Sequence, residues 1–173
     1  MNEIQLMRRQ LATESDHVGA VARACAAVLA EAELQGAARA PALTAFHAAA
    51  VEYLARVLAG FEQRDERLRE LYVQRPADDP GRRSVEQMLA GGGSSREALE
   101  QLGQVHWQEF SRFIAGPWKA RRDVIERILS GNPRTADWRA VAGIDADSIL
   151  EERRGYAQLR QHLPQGAPAT AAL

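Results

Sequence analysis

The chain of 173 residues contains seven prolines, and their placement leaves four long stretches in which no proline occurs. The first stretch covers residues 1–40 and the second covers residues 42–75. Because proline removes a backbone donor and breaks a helix interior, long helices fit only between such positions. Within both stretches apolar residues recur at intervals of three and four, the spacing of a helix that buries one face. The pattern predicts an all-α fold, an up-down helical bundle of three to four long helices with a short C-terminal helical extension.

Local signals set the bounds of these helices. Gly36 is suited to cap the first helix at its C-terminus, and Pro41 is suited to the first turn of the second helix. Pro117 is expected to kink or end the third helix. Residues 1–163 would form one helical-bundle domain, followed by a disordered tail over residues 164–173. The long helices are predicted at about residues 2–34, 42–74, 94–130 and 148–163.

The charge balance restricts the classes of partner. With 22 basic and 23 acidic side chains the formal net charge is −1, so the chain lacks the basic character that nucleic-acid binding needs. Two mixed-charge runs, residues 119–127 and 151–154, are expected to be solvated helix faces. No charge-free apolar run approaches the ~20 residues of a membrane span, and the first residues lack the pattern of a secretory signal. We therefore expect a cytoplasmic protein that binds neither nucleic acid nor membrane.

Polar residues interrupt the apolar face of each long helix. The first helix carries a Glu-x-x-His pair, the second carries acidic residues, and the third carries a His-x-x-Glu pair. Residues three apart on a helix lie on nearly the same face, so each pair would point in one direction. These six positions are the candidate metal ligands. They are Glu14, His17, Glu62, Asp65, His106 and Glu109.

The depth of these residues along the bundle is expected to bring them together. If the first two helices are antiparallel and joined near residues 35–41, residues at equal depth have numbers that add up to about 76, so Glu14 lies opposite Glu62. If the third helix returns antiparallel to the second, the total is about 169, and His106 lies opposite Gln63. The polar positions of three helices would then form one layer inside the bundle.

A buried polar layer of this kind needs compensation, because an isolated buried charge is strongly unfavourable. A bound iron, zinc or manganese ion would supply it, since imidazole and carboxylate ligands suit these metals. The alternative is a hydrogen-bonded network in which Arg64 or another arginine neutralises the carboxylates. A third interpretation is that the helix register differs by one position and the acids face water.

The residues just described resemble the hemerythrin-like (HHE cation-binding) family. The resemblance covers the first three predicted helices, with the Asp16-His17 pair, the acidic cluster around Glu62 and Asp65, and His106. Proteins of that family are four-helix bundles that hold a di-iron or other metal centre and bind dioxygen, sense redox state or store iron. The resemblance implies that His17 and His106 point inward with a carboxylate from the second helix. Because the chain has four histidines, the family's five-histidine centre cannot form, and a carboxylate-rich or mononuclear site is expected.

The sequence thus supports two classes of function. The first is a metal-binding hemerythrin-like or ferritin-like bundle, in which oxygen sensing, redox sensing or metal handling would follow. The second is a non-enzymatic interaction protein without a metal, such as an adaptor, a chaperone or a dimerising regulator. No nucleophile–base or nucleotide-binding motif occurs, so we predict no catalytic site. A protein partner or a second copy of the chain would bind through the C-terminal helices, at Trp138, Ile149, Tyr156 and Leu159.

Overall fold

The regular secondary structure of the described residues is entirely helical, as the sequence predicts. The computed structural model describes residues 2–36, 40–90, 107–131, 134–142, 146–168 and 173. A π-helical segment, Ile114–Trp118, joins the fourth helix to the fifth. The helices are α1 (Glu3–Leu34), α2 (Pro41–Val73), α3 (Pro80–Ala90), α4 (Trp107–Phe113), α5 (Lys119–Ser130), α6 (Thr135–Ala142) and α7 (Ala146–Gln161).

The ends of α1 and the start of α2 follow the local signals in the sequence. The Asn2 side chain accepts a hydrogen bond from the Gln5 backbone N–H at 2.9 Å, and the Gln5 side chain accepts one from the Asn2 N–H at 3.0 Å. This capping box satisfies two of the free donors at the helix start. Gly36, just after α1, has a φ of 67°, in the left-handed region that favours glycine. Pro41 is the first residue of α2.

The helix continues through Pro117 rather than ending there. Proline has no backbone N–H and its ring crowds the preceding turn, so an ordinary α-helix is disrupted at such a position. Here the turn around Pro117 widens into the π-helical segment, and α4 and α5 follow one another without a break from Trp107 to Ser130. We call this continuous element the third rod. Residues 94–106, where the third helix was predicted to begin, lie outside the described residues.

The third rod runs parallel to α2, whereas the sequence analysis assumed that it was antiparallel. The ring centroids of His47 and Trp107 are 5.6 Å apart, and those of Phe61 and Trp118 are 5.2 Å apart. Residue numbers therefore rise in the same direction along both elements. The antiparallel assumption was wrong because the chain between Val73 and Trp107 is long enough to return along the bundle before the third rod begins.

Two separate apolar clusters hold the helices together. The larger one joins α1, α2, the third rod and Leu159 of α7. The smaller one lies at the other end of these helices and adds α3 and α6. Each helix that takes part in both clusters carries polar residues between its two apolar sections. The smaller cluster consists of Met7, Leu68, Tyr72, Val85, Leu89, Ile125, Leu129, Trp138, Val141 and Ala142.

The residues after α7 pack on the larger cluster. Residues 164–168 belong to the segment that we expected to be a disordered tail. They form a turn in which the Ala167 N–H donates to the Pro164 carbonyl at 3.1 Å, and Gly166 has a φ of 77°. Leu163 and Ala167 contact the larger cluster, so this segment closes one end of the α1–α2 pair.

Within the described ranges, α2 is the one helix that is long and apolar enough to cross a membrane, as judged by length and composition. Its most apolar 18-residue window has a mean hydropathy of 1.2. A helix from the core of a soluble protein passes the same test. In this structure Phe46, Leu54 and Phe61 of α2 are buried in the larger cluster. The hydropathy of α2 therefore does not assign a location to the protein.

Candidate functional site

The first buried carboxylate between the two apolar clusters is that of Glu14 on α1. Arg64 of α2 donates from Nη1 to Glu14 Oε2 at 2.6 Å, and the two side chains are 9% and 4% exposed, respectively. A buried pair this short is a charge-assisted hydrogen bond. Arg64 is the arginine that the network interpretation named as the neutralising group. Glu14 thus meets a residue two positions from the expected Glu62.

The second buried carboxylate, Asp65, is held by two arginines of the third rod. Asp65 Oδ1 accepts from Arg122 Nη1 at 2.6 Å, and Asp65 Oδ2 lies 2.6 Å from Arg121 Nη2. The Arg122 guanidinium also lies 4.5 Å from the centroid of the Phe61 ring, a cation–π geometry. Burial lowers the pKa of Arg122, and the Asp65 carboxylate limits that shift. Both oxygens of Asp65 therefore have cationic partners.

These residues form a layer that separates the two apolar clusters. On α2 the larger cluster ends at Phe61 and the smaller begins at Leu68, and the layer lies between them. The sequence predicted Glu14 and the acidic residues of α2 at one depth, whereas the third rod contributes arginines in place of the predicted Glu109. We call this group the arginine layer. It consists of Glu14, Arg64, Asp65, Arg121 and Arg122.

A different polar group lies where α7 meets α1 and α2. The Nδ1 atom of His17 is 2.7 Å from Glu152 Oε1, and the Tyr53 hydroxyl donates to the same oxygen at 2.6 Å. The Tyr156 ring stacks on the His17 ring, with centroids 3.7 Å apart and planes inclined by 6°. We call these four residues, His17, Tyr53, Glu152 and Tyr156, the Glu152 cluster. It joins three helices through one carboxylate.

The electrostatics of the Glu152 cluster keep its carboxyl group ionised. Burial alone would raise the pKa of Glu152, but the hydrogen bonds from His17 and Tyr53 outweigh it and hold the pKa below its usual value. Burial and the adjacent carboxylate raise the pKa of the Tyr53 hydroxyl well above its usual range, so this group remains a donor at neutral pH. The other carboxylate oxygen, Glu152 Oε2, is buried and has no hydrogen-bond partner in the described part of the chain.

Glu152 also lines a cavity of about 140 Å³ between α2 and α7. The buried side of this cavity is formed by residues of both polar groups, and the opposite side is exposed to solvent. The cavity has room for roughly four or five waters, since each takes about 30 Å³. Its buried lining residues are Glu14, Arg64 and Glu152, and its more exposed ones include Arg56, Gly60, Ser148 and Glu151.

The five candidate metal ligands that the structure describes do not meet at one point. Glu14 and Asp65 belong to the arginine layer, and His17 belongs to the Glu152 cluster. Glu62 is half-buried on α2. No group of three histidine, cysteine, aspartate or glutamate side chains that could hold a metal ion occurs where the structure is described.

The two candidates from the third rod have different outcomes. Glu109 is exposed and lines a groove with Ala26, Ala30 and Glu33 of α1. Sixteen residues of helix separate Glu14 from Ala30, which is roughly 24 Å along the axis, so Glu109 is far from the buried carboxylates. The physical reason is the parallel direction of the third rod. His106 lies outside the described residues.

Two buried residues of these polar groups were not predicted from the sequence. Arg122 and Glu152 lie in the mixed-charge runs that we expected to be solvated, yet both are buried. The available signal was helical spacing, because Glu152, Tyr156 and Leu159 share one face of α7. The charged residue types of 151–154 favoured a solvated face. The apolar residues four and seven positions after Glu152, Tyr156 and Leu159, indicated that Glu152 lies on the buried face of the helix.

A second, larger cavity lies at the closed end of the α1–α2 pair. This apolar cleft has a volume of about 410 Å³ and is formed by the end of α1, the start of α2 and the segment after α7. Leu34 of α1 lies near it and is 85% exposed, the largest exposure among the large apolar residues of the described ranges. The cleft is lined by Val28, Glu31, Ala32, Gln35, Ala40, Ala42, Leu43 and residues 164–168.

The C-terminal residues that were expected to bind a partner take part in the packing of this chain. Trp138 belongs to the smaller apolar cluster and Leu159 to the larger one, and each is 1% exposed. Tyr156 stacks on His17, and Ile149 is half-buried.

Comparison of the chain with models of known protein families, with curated proteins and with solved structures found no match.

Proposed function

We propose that this chain is a non-enzymatic helical interaction protein that forms a homodimer through the apolar cleft. The observation that carries the proposal is an open apolar cleft whose lining residue Gln35 directly follows Leu34, an apolar side chain that is 85% exposed. A volume of about 410 Å³ lies in the range of cavities that take up ligands or side chains. Burial of the Leu34 side chain in an apolar cleft would remove its surface from water, which is favourable.

Twofold symmetry makes the two features complementary. In a symmetric dimer the same surface of each copy faces the other. A residue of one copy that contacts the cleft of its partner is therefore matched by the same residue of the partner, which contacts the cleft of the first copy. Leu34 of one copy would enter the cleft of its partner, against Ala32 and Leu43, and the reverse contact would form at the same time. Glu31 is the one charged side chain among the described lining residues, so little charge is buried.

The arginine layer supports a scaffolding role for the rest of the chain. We infer a bundle of long helices in which buried ion pairs fix the depth at which α1, α2 and the third rod meet. Buried polar groups specify the register of helices in some proteins, and an apolar face alone permits neighbouring registers. A cytoplasmic location is part of the same proposal and is tested by cell fractionation.

Light scattering of the purified chain tests dimerisation. We expect wild type to have twice the 19.0 kDa mass of one chain, and the Leu34→Asp variant to have the mass of one chain. Ala32→Trp, which fills the cleft without adding charge, should also be monomeric. The control is Leu150→Asp, since Leu150 is an exposed leucine on α7 away from the cleft. A wild-type chain that is monomeric at about 100 µM, far above the Kd of a typical specific dimer, would contradict the proposal.

Metal binding is the second candidate function. His17 and Glu152 form an imidazole–carboxylate pair in which Oε2 has no partner among described atoms, and both groups suit iron, zinc or manganese. The fit is incomplete in the described ranges, because arginines occupy Glu14 and Asp65. A hemerythrin-like or ferritin-like function with oxygen sensing, redox sensing or metal handling would therefore need further ligands. His106, one of the ligands predicted from the sequence, lies outside the described residues.

Metal analysis distinguishes the two candidates. Protein purified without a histidine tag should contain near-stoichiometric iron, zinc or manganese if the second candidate is correct. That metal should be lost in the His17→Ala/His106→Ala double variant. The interaction proposal instead expects no bound metal and an unchanged unfolding midpoint in the presence of a chelator.

A further inference from the structure

Helix α7 is held against the rest of the bundle by two buried side chains. Of its 16 residues, Glu152 and Leu159 are buried, whereas α1, α2 and the third rod supply most of the larger apolar cluster. Tyr156 adds a partly buried ring that stacks on His17. Since one of the two buried residues is a carboxylate, α7 gains less from apolar burial than the core helices do. Its position therefore depends on the polar contact.

That polar contact joins α7 to α1 and α2 at one oxygen atom. Glu152 Oε1 accepts a hydrogen bond from the Tyr53 hydroxyl of α2 at 2.6 Å and lies 2.7 Å from Nδ1 of His17 on α1. Three residues further along, Gly155 brings the backbone of α7 close to α2. A Cβ atom added to Gly155 would lie 3.3 Å from Cδ2 of the Tyr53 ring, so a long side chain at this position would push α7 away from α2.

The chain after α7 forms one wall of the apolar cleft. Residues 164–168 line the cleft together with the end of α1 and the start of α2. None of these five residues is buried, and the contacts with the larger cluster come from the partly buried Leu163, Ala167 and Leu173. Two residues separate this wall from Gln161, the last residue of α7. Because the wall has no buried residue of its own, its position follows that of α7.

We propose that α7 is a detachable strap, which the Glu152 cluster holds in place and which closes the apolar cleft when it is docked. His17 is eleven residues from Val28, the nearest lining residue of α1, or roughly 16 Å along the helix axis. The cluster therefore acts on the cleft through the helix that it positions. The consequence for assembly rests on the proposed dimer: a chain whose strap is released lacks one wall of the interface, so docking and dimerisation stabilise one another.

Hydrogen exchange of the full-length chain, measured by mass spectrometry of its peptides, tests the strap. The Leu34→Asp variant is used first, so that dimerisation does not contribute. The amides of α7 and residues 165–167 should exchange at least about tenfold faster than those of residues 50–61 of α2, because release of α7 leaves the other helices folded. Adding Glu152→Gln should accelerate exchange in α7 by about a further tenfold, since it removes the charge that strengthens the contacts of Oε1. The control is Glu151→Gln, at the exposed neighbour, which should leave exchange unchanged.

Gly155→Leu tests the geometry of the strap without a change of charge. The leucine side chain would displace α7 from the Tyr53 ring, so we expect at least about tenfold faster exchange in α7. In the otherwise wild-type chain, the same substitution should raise the dimer dissociation constant measured by light scattering. Ala157→Leu, an equally long side chain at an exposed position of α7, should change neither quantity. Circular dichroism verifies that each variant is folded.

The link between the strap and the dimer has a separate measurement. Wild type at about 100 µM should exchange in α7 at least about tenfold more slowly than Leu34→Asp at the same concentration, because the dimer must dissociate before the strap is released. A wild-type dimer whose α7 exchanges as fast as that of Leu34→Asp would overturn this link.

Two results would overturn the strap itself. In the first, α7 exchanges as slowly as residues 50–61, which means that it opens only when the whole bundle unfolds. In the second, Glu152→Gln leaves exchange in α7 unchanged, which means that the Glu152 cluster does not hold the helix. A monomeric wild-type chain would contradict the proposed dimer alone, and the strap would then stand or fall on these two results.

Discussion

The arginine layer and the Glu152 cluster both bury carboxylates between helices, but they compensate the negative charge differently. In the layer, Asp65 has a guanidinium on each oxygen, and Glu14 meets that of Arg64. In the cluster, an imidazole and a phenol share Glu152 Oε1, and Oε2 has no partner in the described ranges. The first arrangement completes itself within the chain. The second leaves one carboxylate oxygen buried without a donor among the described residues.

The donors explain why the two regions should respond differently to their surroundings. A guanidinium stays charged at all ordinary pH values and offers several N–H groups in a fixed plane, so it can neutralise a carboxylate permanently. An imidazole has a titratable charge, and a phenol supplies one neutral donor. We therefore assign a permanently neutralised structural role to the layer and a pH-dependent one to the Glu152 cluster. The following predictions test this difference, beginning with the largest effect.

The largest effect is expected from Asp65→Ala. This change leaves the buried guanidinium of Arg122 and the partly buried one of Arg121 without their shared counter-charge. Loss of one partner from a buried ion pair costs about 3–5 kcal/mol of the free energy of unfolding. Urea unfolding measures this loss of free energy. The control is Asp123→Ala, at an exposed aspartate on α5, which should change the free energy of unfolding by less than about 0.5 kcal/mol. Equal effects of the two substitutions would contradict the assignment of the layer.

A smaller effect is expected from Glu152→Gln. The amide keeps the shape of the side chain and still accepts from Tyr53, but it loses the charge that strengthens both hydrogen bonds. We expect the free energy of unfolding to fall by about 1–2 kcal/mol. Glu151→Gln, its exposed neighbour, should be nearly neutral. If Glu152→Gln destabilised the chain as much as Asp65→Ala, the proposed difference between the two regions would be wrong.

The smallest effect is a pH dependence that belongs to the cluster. The pKa of Glu152 is lower in the folded chain than its ordinary value of 4.5. Its contribution to stability is therefore fully present above pH 4.5 and is lost as the pH falls through the folded pKa. The difference in unfolding free energy between wild type and Glu152→Gln should narrow below pH 4.5. A difference that stayed constant from about pH 7 to about pH 3 would show that charge on Glu152 does not matter.

Much of the helical layout was accessible from the sequence. The bounds of α1 and α2 follow from their capping residues and from Pro41, and the antiparallel pairing placed Glu14 within one helical turn of its observed partner. Apolar spacing also indicated where polar residues interrupt the bundle. These features are local, or depend on one short connection, so simple geometry predicts them.

The remaining features depend on contacts between distant parts of the chain. The direction of the third rod was missed because a long connection permits either direction, and this error brought Glu109 into the predicted site. Arg122 and Glu152 were expected to face water because charged residues on helices usually do. Their burial becomes favourable only once Asp65 and Tyr53 are brought against them, and no local pattern contains that information.

The central claim is that the chain neutralises the buried carboxylates of the arginine layer with its own guanidiniums. A double-mutant cycle between Glu14→Gln and Arg64→Met tests it most directly, with the free energy of unfolding measured for wild type, both single variants and the double variant. The account predicts a coupling energy of at least about 2 kcal/mol, with the double variant more stable than Arg64→Met alone. Additive effects, with a coupling energy near zero, would contradict it.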